Sequence, residues 1–520
     1  VKHLLIRADA SMEMGTGHVM RCLALAQAWQ DKGGAVTLAS SALPASMVPL
    51  LARNGIQHVP VVSPSASQAD ADETRALHSS LQAHWLVVDG YHFDDQYQSN
   101  VRQINGCLLT IDDLGHLSRY VADLVLNQNI TAGHDLYPTR SITTDLLFGG
   151  RYALLRREFQ TPPEQGSSQT SDSKNILVMM GGSDPHNTAA KVAHALFHVP
   201  GIHARIIAGA LNPHLPTLHQ LAAESQGKIE VLVNVQDMVA QMDWANLAVS
   251  AGGTSVLELA SRQVPTLLLS IADNQRAISA ALHEHHVMTH LGWYESTDES
   301  TITEAIKEHL LGPLSTRKKQ EDTRKRCKEL CDGQGAARVV RHMTELDSQS
   351  QHREISFWPA SMEDRTLVYQ WAQDPVSRQA SFESASIPWE DHCAWFERKL
   401  ADSASALWIC RSTDNKALSV VRFDELCDDA VISINIAPDC RGCGLGSKIV
   451  SAACEVAFKT LRLRTIKAFI KNSNKASLRI FEKSGFSPSA DTEAPAGARC
   501  FMRRNDANAE QVVDNQTPLP

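Results

Sequence analysis

Four times in this chain an apolar run that reads as a buried strand ends in a glycine-rich turn, and helical spacing takes over within a few residues. Leu4, Leu5 and Ile6 lead through Asp9 to Gly15-Thr16-Gly17-His18 and a helix over 19–29. Residues 175–180 lead to Gly181-Gly182-Ser183-Asp184, and 247–250 to Ala251-Gly252-Gly253-Thr254-Ser255. Residues 430–437 lead to Arg441-Gly442-Cys443-Gly444-Leu445-Gly446-Ser447. Strands without polar alternation must be covered on both faces, which in a parallel sheet is the work of crossover helices. A glycine turn opening a helix lets backbone N–H groups approach an anion, and the helix terminus adds a fixed partial positive charge. The chain is therefore held to layered domains that bind phosphate-sized anions at the carboxyl ends of their strands.

With 520 residues the chain exceeds one ordinary core. The expected division is 1–160, 174–345 and 354–505, with a disordered polar tail over 506–520; the linkers are the Pro, Gly, Ser and Gln-rich stretch 161–173 and the polar stretch 346–353. A net charge of -9 argues against a nucleic-acid binder, which needs clustered Lys and Arg. No apolar run reaches bilayer length and the chain enters a strand directly, so a cytoplasmic protein with no membrane insertion is expected. The 11 cysteines are scattered and odd in number, which fits reduced thiols. Cys440 and Cys443 have CxxC spacing but fall inside a glycine loop, and no metal site is expected.

In the first domain, apolar runs at 35–39, 59–62, 85–89, 107–111 and 123–127 predict further parallel strands. Their carboxyl ends collect Asp9, Gly15, Gly17, His18, Asp89, Tyr91, Asp112 and Asp113. Asp112 and Asp113 read as turn residues. His18, an imidazole beside the anion turn, is the candidate general base. In the second domain, strands are expected at 204–208, 229–233, 247–250 and 266–269. Glu258 stands one turn into the helix after Gly252-Gly253-Thr254-Ser255, where a carboxylate can accept both hydroxyls of a ribose. Its spacing from Ser255 is also that of a capping box. Asn274 follows another strand, and residues 315–344 read as one charged helix.

Taken together these features resemble the GT-B fold, two Rossmann-type lobes facing a cleft. The runs RADAS, GTGHVMRCLALA, VVDGY, IDDL, GGRYALLRREF, GGSDP, SAGGTSVLELA and IADNQ resemble, in order, the nucleotide-sugar hydrolase of pseudaminic acid biosynthesis. That resemblance implies hydrolysis of UDP-2,4-diacetamido-2,4,6-trideoxy-β-L-altropyranose to the free sugar and UDP. It implies His18 as base, Tyr91 and Asn274 as sugar or water contacts, and a UDP site built from Gly15, Gly17, Gly181, Asp184, Gly252, Gly253, Thr254, Ser255 and Glu258. The glycine loops by themselves also fit a MurG-like glycosyltransferase, and a sugar-nucleotide-binding scaffold is the alternative outside enzymes.

The third domain changes pattern. Strands at 354–357 and 465–471, a hairpin over 407–411 and 417–423, and helices at 362–371, 390–400 and 448–458 predict an α+β domain. Arg441, Gly444 and Gly446 have the spacing (R/Q)xxGx(G/A), which resembles the pyrophosphate loop of the GNAT acetyltransferases. The resemblance implies acetyl-CoA as cosubstrate, cradled by Gly442 to Ser447, with Asn474 and Ser477 touching it. The tyrosine that often serves these enzymes as acid is replaced at the matching position by Phe481. RTLVYQWAQDPVSRQASFESASIPWEDHCAWF resembles the sugar-amine acetyltransferase of the same pathway, which implies a chain joining two consecutive steps. A purely structural third domain is a further alternative, which Phe481 keeps open.

Overall fold

The computed structural model describes residues 2–11, 14–161, 174–182, 184–209, 212–348, 355–489 and 494–505. The expected linker residues 162–173 and 349–353, Ser183 and the tail 506–520 lie outside the described residues. Strands β1 (His3–Ala8), β2 (Ala35–Ser40), β3 (Gln57–Pro60), β4 (Trp85–Asp89), β5 (Cys107–Ile111), β6 (Leu124–Asn127) and β7 (Asp145–Phe148) form a sheet ordered β3-β2-β1-β4-β5-β6-β7. Every pair is parallel. All residues of β4 and β5 are buried, which explains their lack of polar alternation. The strand expected at 59–62 is shifted to Gln57–Pro60, and Val62 lies 91% exposed beyond it.

A second all-parallel sheet has β8 (Lys174–Met179), β9 (Ile202–Ala208), β10 (Ile229–Val233), β11 (Leu247–Ala251), β12 (Thr266–Ser270) and β13 (Thr289–Trp293), in the order β10-β9-β8-β11-β12-β13. In both sheets the direction of chain progress reverses at one pair, β1/β4 and β8/β11, the switch point beyond whose carboxyl ends such sheets bind ligands. The glycine turns follow β1, β8 and β11. Periodicity does not reveal β7 and β13, because these edge strands stay partly exposed and mixed in composition.

The single helix expected over 315–344 is two helices, Arg317–Leu330 and Gly335–Ser348, separated at Gly333, whose φ is 79°. A Cβ on Gly335 would stand 2.3 Å from the Ala153 carbonyl oxygen, so only glycine lets the second helix start against the segment joining the lobes. From there Ala336, Val339, Val340 and Met343 enter the core of the first lobe beside Val19, Leu23 and Ala26. The chain thus leaves the first lobe, builds the second and returns.

The third sheet has β14 (Ile355–Pro359), β15 (Ser405–Ser412), β16 (Ala417–Asp424), β17 (Asp429–Ile436), β18 (Thr465–Lys471), β19 (Ser487–Ser489) and β20 (Ala498–Arg504), ordered β14-β15-β16-β17-β18-β20-β19. Only β17 and β18 run parallel, and they pair from Asp429 with Thr465 to Val431 with Lys467 and no further. Their carboxyl halves therefore diverge and leave a wedge in the sheet. This domain rests on the first lobe: Ile142 N–H donates to the Phe357 carbonyl at 2.7 Å, and the Arg119 guanidinium lies 3.9 Å from the Trp358 ring centroid. The architecture is the expected one, two Rossmann-type parallel-sheet lobes followed by an α+β domain. Among the described residues no helix is long and apolar enough to cross a membrane.

Candidate functional site

His18 is the second residue of the Gly17–Gln30 helix. Gly15, at a φ of 75°, makes the preceding turn, and a Cβ on Gly15 or Gly17 would meet nothing within 4 Å. Thr16, at the N-cap, makes no side-chain capping bond, so the first N–H groups of the helix remain available to a ligand. His18 Nδ1 lies 2.7 Å from Asp89 Oδ1. A carboxylate can only accept, so this contact calls for a proton on Nδ1, and in the neutral ring the lone pair is then on Nε2.

Asp89 is fully buried and also accepts from Arg21 Nε at 2.7 Å and Arg21 Nη2 at 2.6 Å. Burial opposes its ionisation, but the Arg21 charge and the His18 contact outweigh this and hold the carboxyl well below the usual range. Arg21 Nη1 reaches Asp113 Oδ1 and Oδ2 at 2.9 and 2.7 Å, and the Tyr91 hydroxyl donates to Asp113 Oδ2 at 2.7 Å. Tyr91 presents an edge-to-face contact to His18, centroids 4.8 Å apart, and is 42% exposed. His18, Asp89, Arg21, Asp113 and Tyr91 are thus one connected network. Sequence reasoning did not single out Arg21; its signal is the i, i+3 spacing from His18 on one helix face.

The paired aspartates divide. Asp112 accepts from the N–H groups of Leu114 and Gly115 at 2.9 and 3.1 Å and from the Tyr120 hydroxyl, the expected turn role. Asp113 instead belongs to the network, which corrects its reading as a turn residue. Asp9 accepts from Arg7, the Ser41 and Ala42 N–H groups, the Ser65 hydroxyl and His92 Nε2. It ties together the segments after β1, β2 and β3 and anchors the residue next to Tyr91.

In the second lobe Gly181 has a φ of 85°, with open space beside Gly181 and Gly182. Asp184 is 1% exposed and accepts the N–H groups of Thr188 and Ala189, both at 2.9 Å, so its carboxylate holds the turn to the Thr188–Phe197 helix. A Cβ on Gly252 would stand 2.3 Å from Ser279 Oγ, and one on Gly253 would stand 3.9 Å from Gln275 Nε2, so the Asp273–Glu284 helix closes on this turn. Thr254 is the N-cap of Ser255–Ser261 and makes no side-chain cap. Asn274 is exposed in the first turn of Asp273–Glu284, and Gln275, which the sequence did not single out, borders the glycines more closely. Glu258 does not form the capping box that its spacing allows. Its carboxylate faces Arg156 Nη2 at 3.6 Å. Burial raises the Glu258 carboxyl, Arg156 opposes the rise and Glu158 adds to it.

In the third domain Gly442 and Gly444 have φ values of 78° and 76° with open space beside them, where the wedge between β17 and β18 meets the Leu445–Thr460 helix. Backbone in this state offers successive N–H groups to a diphosphate, so the residues present fit coenzyme A. Gly446 does a different job: a Cβ there would stand 2.6 Å from Ile480 Cδ1. The Ser447 carbonyl accepts from Ser484 Oγ at 3.1 Å, and Asn474 Oδ1 accepts the Ser477 N–H at 3.0 Å as an N-cap. The Arg441 side chain turns to Asp374, Ser377 Oγ and the Ile436 carbonyl. Phe481 is buried against Phe486, ring centroids 5.0 Å apart, and has no proton to give. Cys440 and Cys443 are free thiols.

These geometries define a pair of Rossmann-type lobes with a histidine network, joined to an α+β domain with a glycine turn at a helix start. Residues 355–487 match the family model of the acetyltransferase (GNAT) domain. Along 93% of its length the chain is 22% identical to an uncharacterized protein of Methanocaldococcus jannaschii, covering 96% of that protein. It is 24% identical to the UDP-2,4-diacetamido-2,4,6-trideoxy-beta-L-altropyranose hydrolase of Campylobacter jejuni, over 49% of this chain and 86% of that one. Among solved structures, the MurG of Acinetobacter baumannii is covered completely by 66% of this chain at 15% identity, with a TM-score of 0.47. One chain thus joins a region homologous to the Campylobacter jejuni hydrolase to a GNAT domain.

Proposed function

We propose that the two N-terminal lobes hydrolyse UDP-2,4-diacetamido-2,4,6-trideoxy-β-L-altropyranose to the free sugar and UDP, and that the C-terminal domain acetylates the UDP-4-amino sugar precursor with acetyl-CoA in the same cytoplasmic protein. The observation that carries the first half is the His18–Asp89 pair, with its basic nitrogen left free of the carboxylate, beside an open glycine turn at a helix start. Water attacks C1 of the sugar as His18 Nε2 takes its proton; the C1–oxygen bond to the diphosphate breaks and UDP departs. Asp89 orients the imidazole and stabilises the imidazolium, as carboxylates do in hydrolytic triads. The Gly15 N–H is held by the Ser11 carbonyl and shapes the turn, while N–H donors at Gly17 and Gly252–Ser255 receive the diphosphate charge, and the step calls on no metal ion. Tyr91 and Asn274 contact sugar or water.

In the second half, acetyl-CoA supplies the activated acetyl group, held by backbone N–H groups from Gly442 to Ser447 and by the Asn474–Ser477 turn. With Phe481 unable to donate, the departing thiolate takes its proton from water or another side chain. Hydrolysis in isotopically labelled water, followed by mass spectrometry, tests the first half: label belongs in the sugar, and label in UDP means attack at phosphorus. UDP release that requires an added acceptor marks glycosyl transfer instead. Supplying the UDP-4-amino sugar with acetyl-CoA tests both halves, with gain of one acetyl group and then loss of UDP.

A further inference from the structure

The side chain that faces Glu258 comes from the segment joining the lobes. Arg156 Nη2 lies 3.0 Å from Glu158 Oε1 and 3.6 Å from Glu258 Oε1, with its guanidinium 5.4 Å from the Phe159 ring centroid. Its backbone is not a loose tether. Leu155 and Phe159 are buried on either side, and the next N–H, that of Arg157, donates to Gln27 Oε1 at 2.8 Å. Arg157 Nη2 continues to Asp31 at 2.7 Å. Consecutive arginines therefore diverge: Arg157 grips the end of the helix that begins beside His18, and Arg156 reaches the second lobe at Glu258.

We infer that Arg156 is a positioning residue for nucleotide recognition: it holds the Glu258 carboxylate aimed so that it accepts both hydroxyls of a ribonucleoside diphosphate. This rests on the reading of Glu258 as the ribose contact. A diol has two protons to donate, and only an ionised carboxylate accepts both; a neutral carboxyl meets one of them with its own proton. The groups around Glu258 otherwise press it toward the neutral form. The Glu158 carboxylate faces it from the hinge, and Cys331, 1% exposed at the end of Arg317–Leu330, adds an uncharged neighbour. Arg156 is the positive charge among them.

The test is calorimetric titration of the full chain with UDP and with 2′,3′-dideoxy-UDP, which keeps the base and diphosphate and lacks the diol. Wild-type protein should prefer UDP by about 10–100-fold, the span of hydrogen bonds to a charged group. Glu258→Gln should abolish most of that preference. Arg156→Gln should reduce it to within about threefold by weakening UDP while leaving dideoxy-UDP unchanged, and Arg156→Lys, which restores the charge without the fork, should give an intermediate preference. A preference kept in Arg156→Gln but lost in Glu258→Gln overturns the inference and leaves the Glu258 reading standing. Equal weakening of both ligands in Arg156→Gln means a structural role and also overturns it. A preference that survives Glu258→Gln, or its absence in the wild type, removes the Glu258 reading and the inference together. Should Arg156→Gln fail to fold, wild-type preference in Arg156→Lys counts against the inference.

Discussion

Asp89 Oδ1 is shared between His18 Nδ1 at 2.7 Å and Arg21 Nη2 at 2.6 Å. The arginine keeps the carboxylate charged even when the imidazole becomes cationic, so a proton taken at Nε2 has no route onward to Asp89. Asp89→Asn would keep the shape of this contact but put an amide where an acceptor is needed. UDP release should fall by about 10²–10⁴-fold, chiefly in kcat, and His18→Ala should fall comparably. Because the two residues act as one unit, the double variant should be no slower than His18→Ala. Multiplying losses in the double variant would show that they act separately.

Arg21 has a cost when removed that goes beyond chemistry. It is 5% exposed and neutralises two carboxylates, Asp89 and Asp113, so Arg21→Ala leaves both without their main counter-charge. Breaking such a buried arrangement costs about 3–5 kcal/mol, readable as a lower urea midpoint. The pH dependence follows from the sign of the shift. Asp89 is depressed, so its contribution is present above the ordinary carboxylate range and is lost as pH falls through the folded-state value. Arg21→Ala, which removes the main cause of that depression, should lose less stability on acidification than wild type does.

The local part of this structure could be read from sequence because its causes are local. Apolar runs such as 85–89 and 107–111 state their burial directly, and a glycine turn announces the helix after it. What sequence did not show depends on distance along the chain. Asp112 and Asp113 are the same residue type side by side, and only the approach of Arg21, 92 positions away, separates a turn carboxylate from a site carboxylate. Glu258 satisfied the spacing of a capping box, yet its partner is Arg156 from the hinge. The charged stretch 315–344 breaks at Gly333 because its second half has a face to bury in the other lobe. Arg441 carries the right motif spacing, but Asp374 decides where its side chain points.

His116 tests the turn beneath Tyr91. Its Nδ1 lies 3.2 Å from Asp112 Oδ1, and its ring centroid is 6.2 Å from that of Tyr91. The Asp112 contact raises the imidazole above its ordinary value of 6.5, and burial of Asp112 is outweighed by His116 and Tyr120, which lower the carboxyl below 3.8. The raised imidazole contributes fully below pH 6.5 and loses its contribution as pH rises through the folded value; the lowered carboxylate contributes above 3.8 and loses it as pH falls through its own. Amide exchange over residues 112–120 should therefore be slowest between these values in wild type. His116→Gln should remove the change on the alkaline side and leave a smaller one on the acid side, sustained by Tyr120 and the Leu114 N–H. An unchanged alkaline limb would assign it to another group.

The two glycines of the C-terminal turn should fail in different ways. At Gly444 a side chain has room but the backbone, at a φ of 76°, suits only glycine. Gly444→Val in that conformation costs about 1–2 kcal/mol, and the backbone relaxes instead by turning its N–H groups out of the cradle. Acetyl-CoA affinity should fall about tenfold or more by calorimetry, with little change in the unfolding midpoint of the domain. At Gly446 the fault is steric: Gly446→Val drives a methyl into Ile480 and pries the Leu445–Thr460 helix from Lys475–Lys483, so the midpoint should drop. UDP release by the N-terminal lobes should stay near wild type in both. Normal acetyl-CoA binding by Gly444→Val would move the coenzyme site away from this turn.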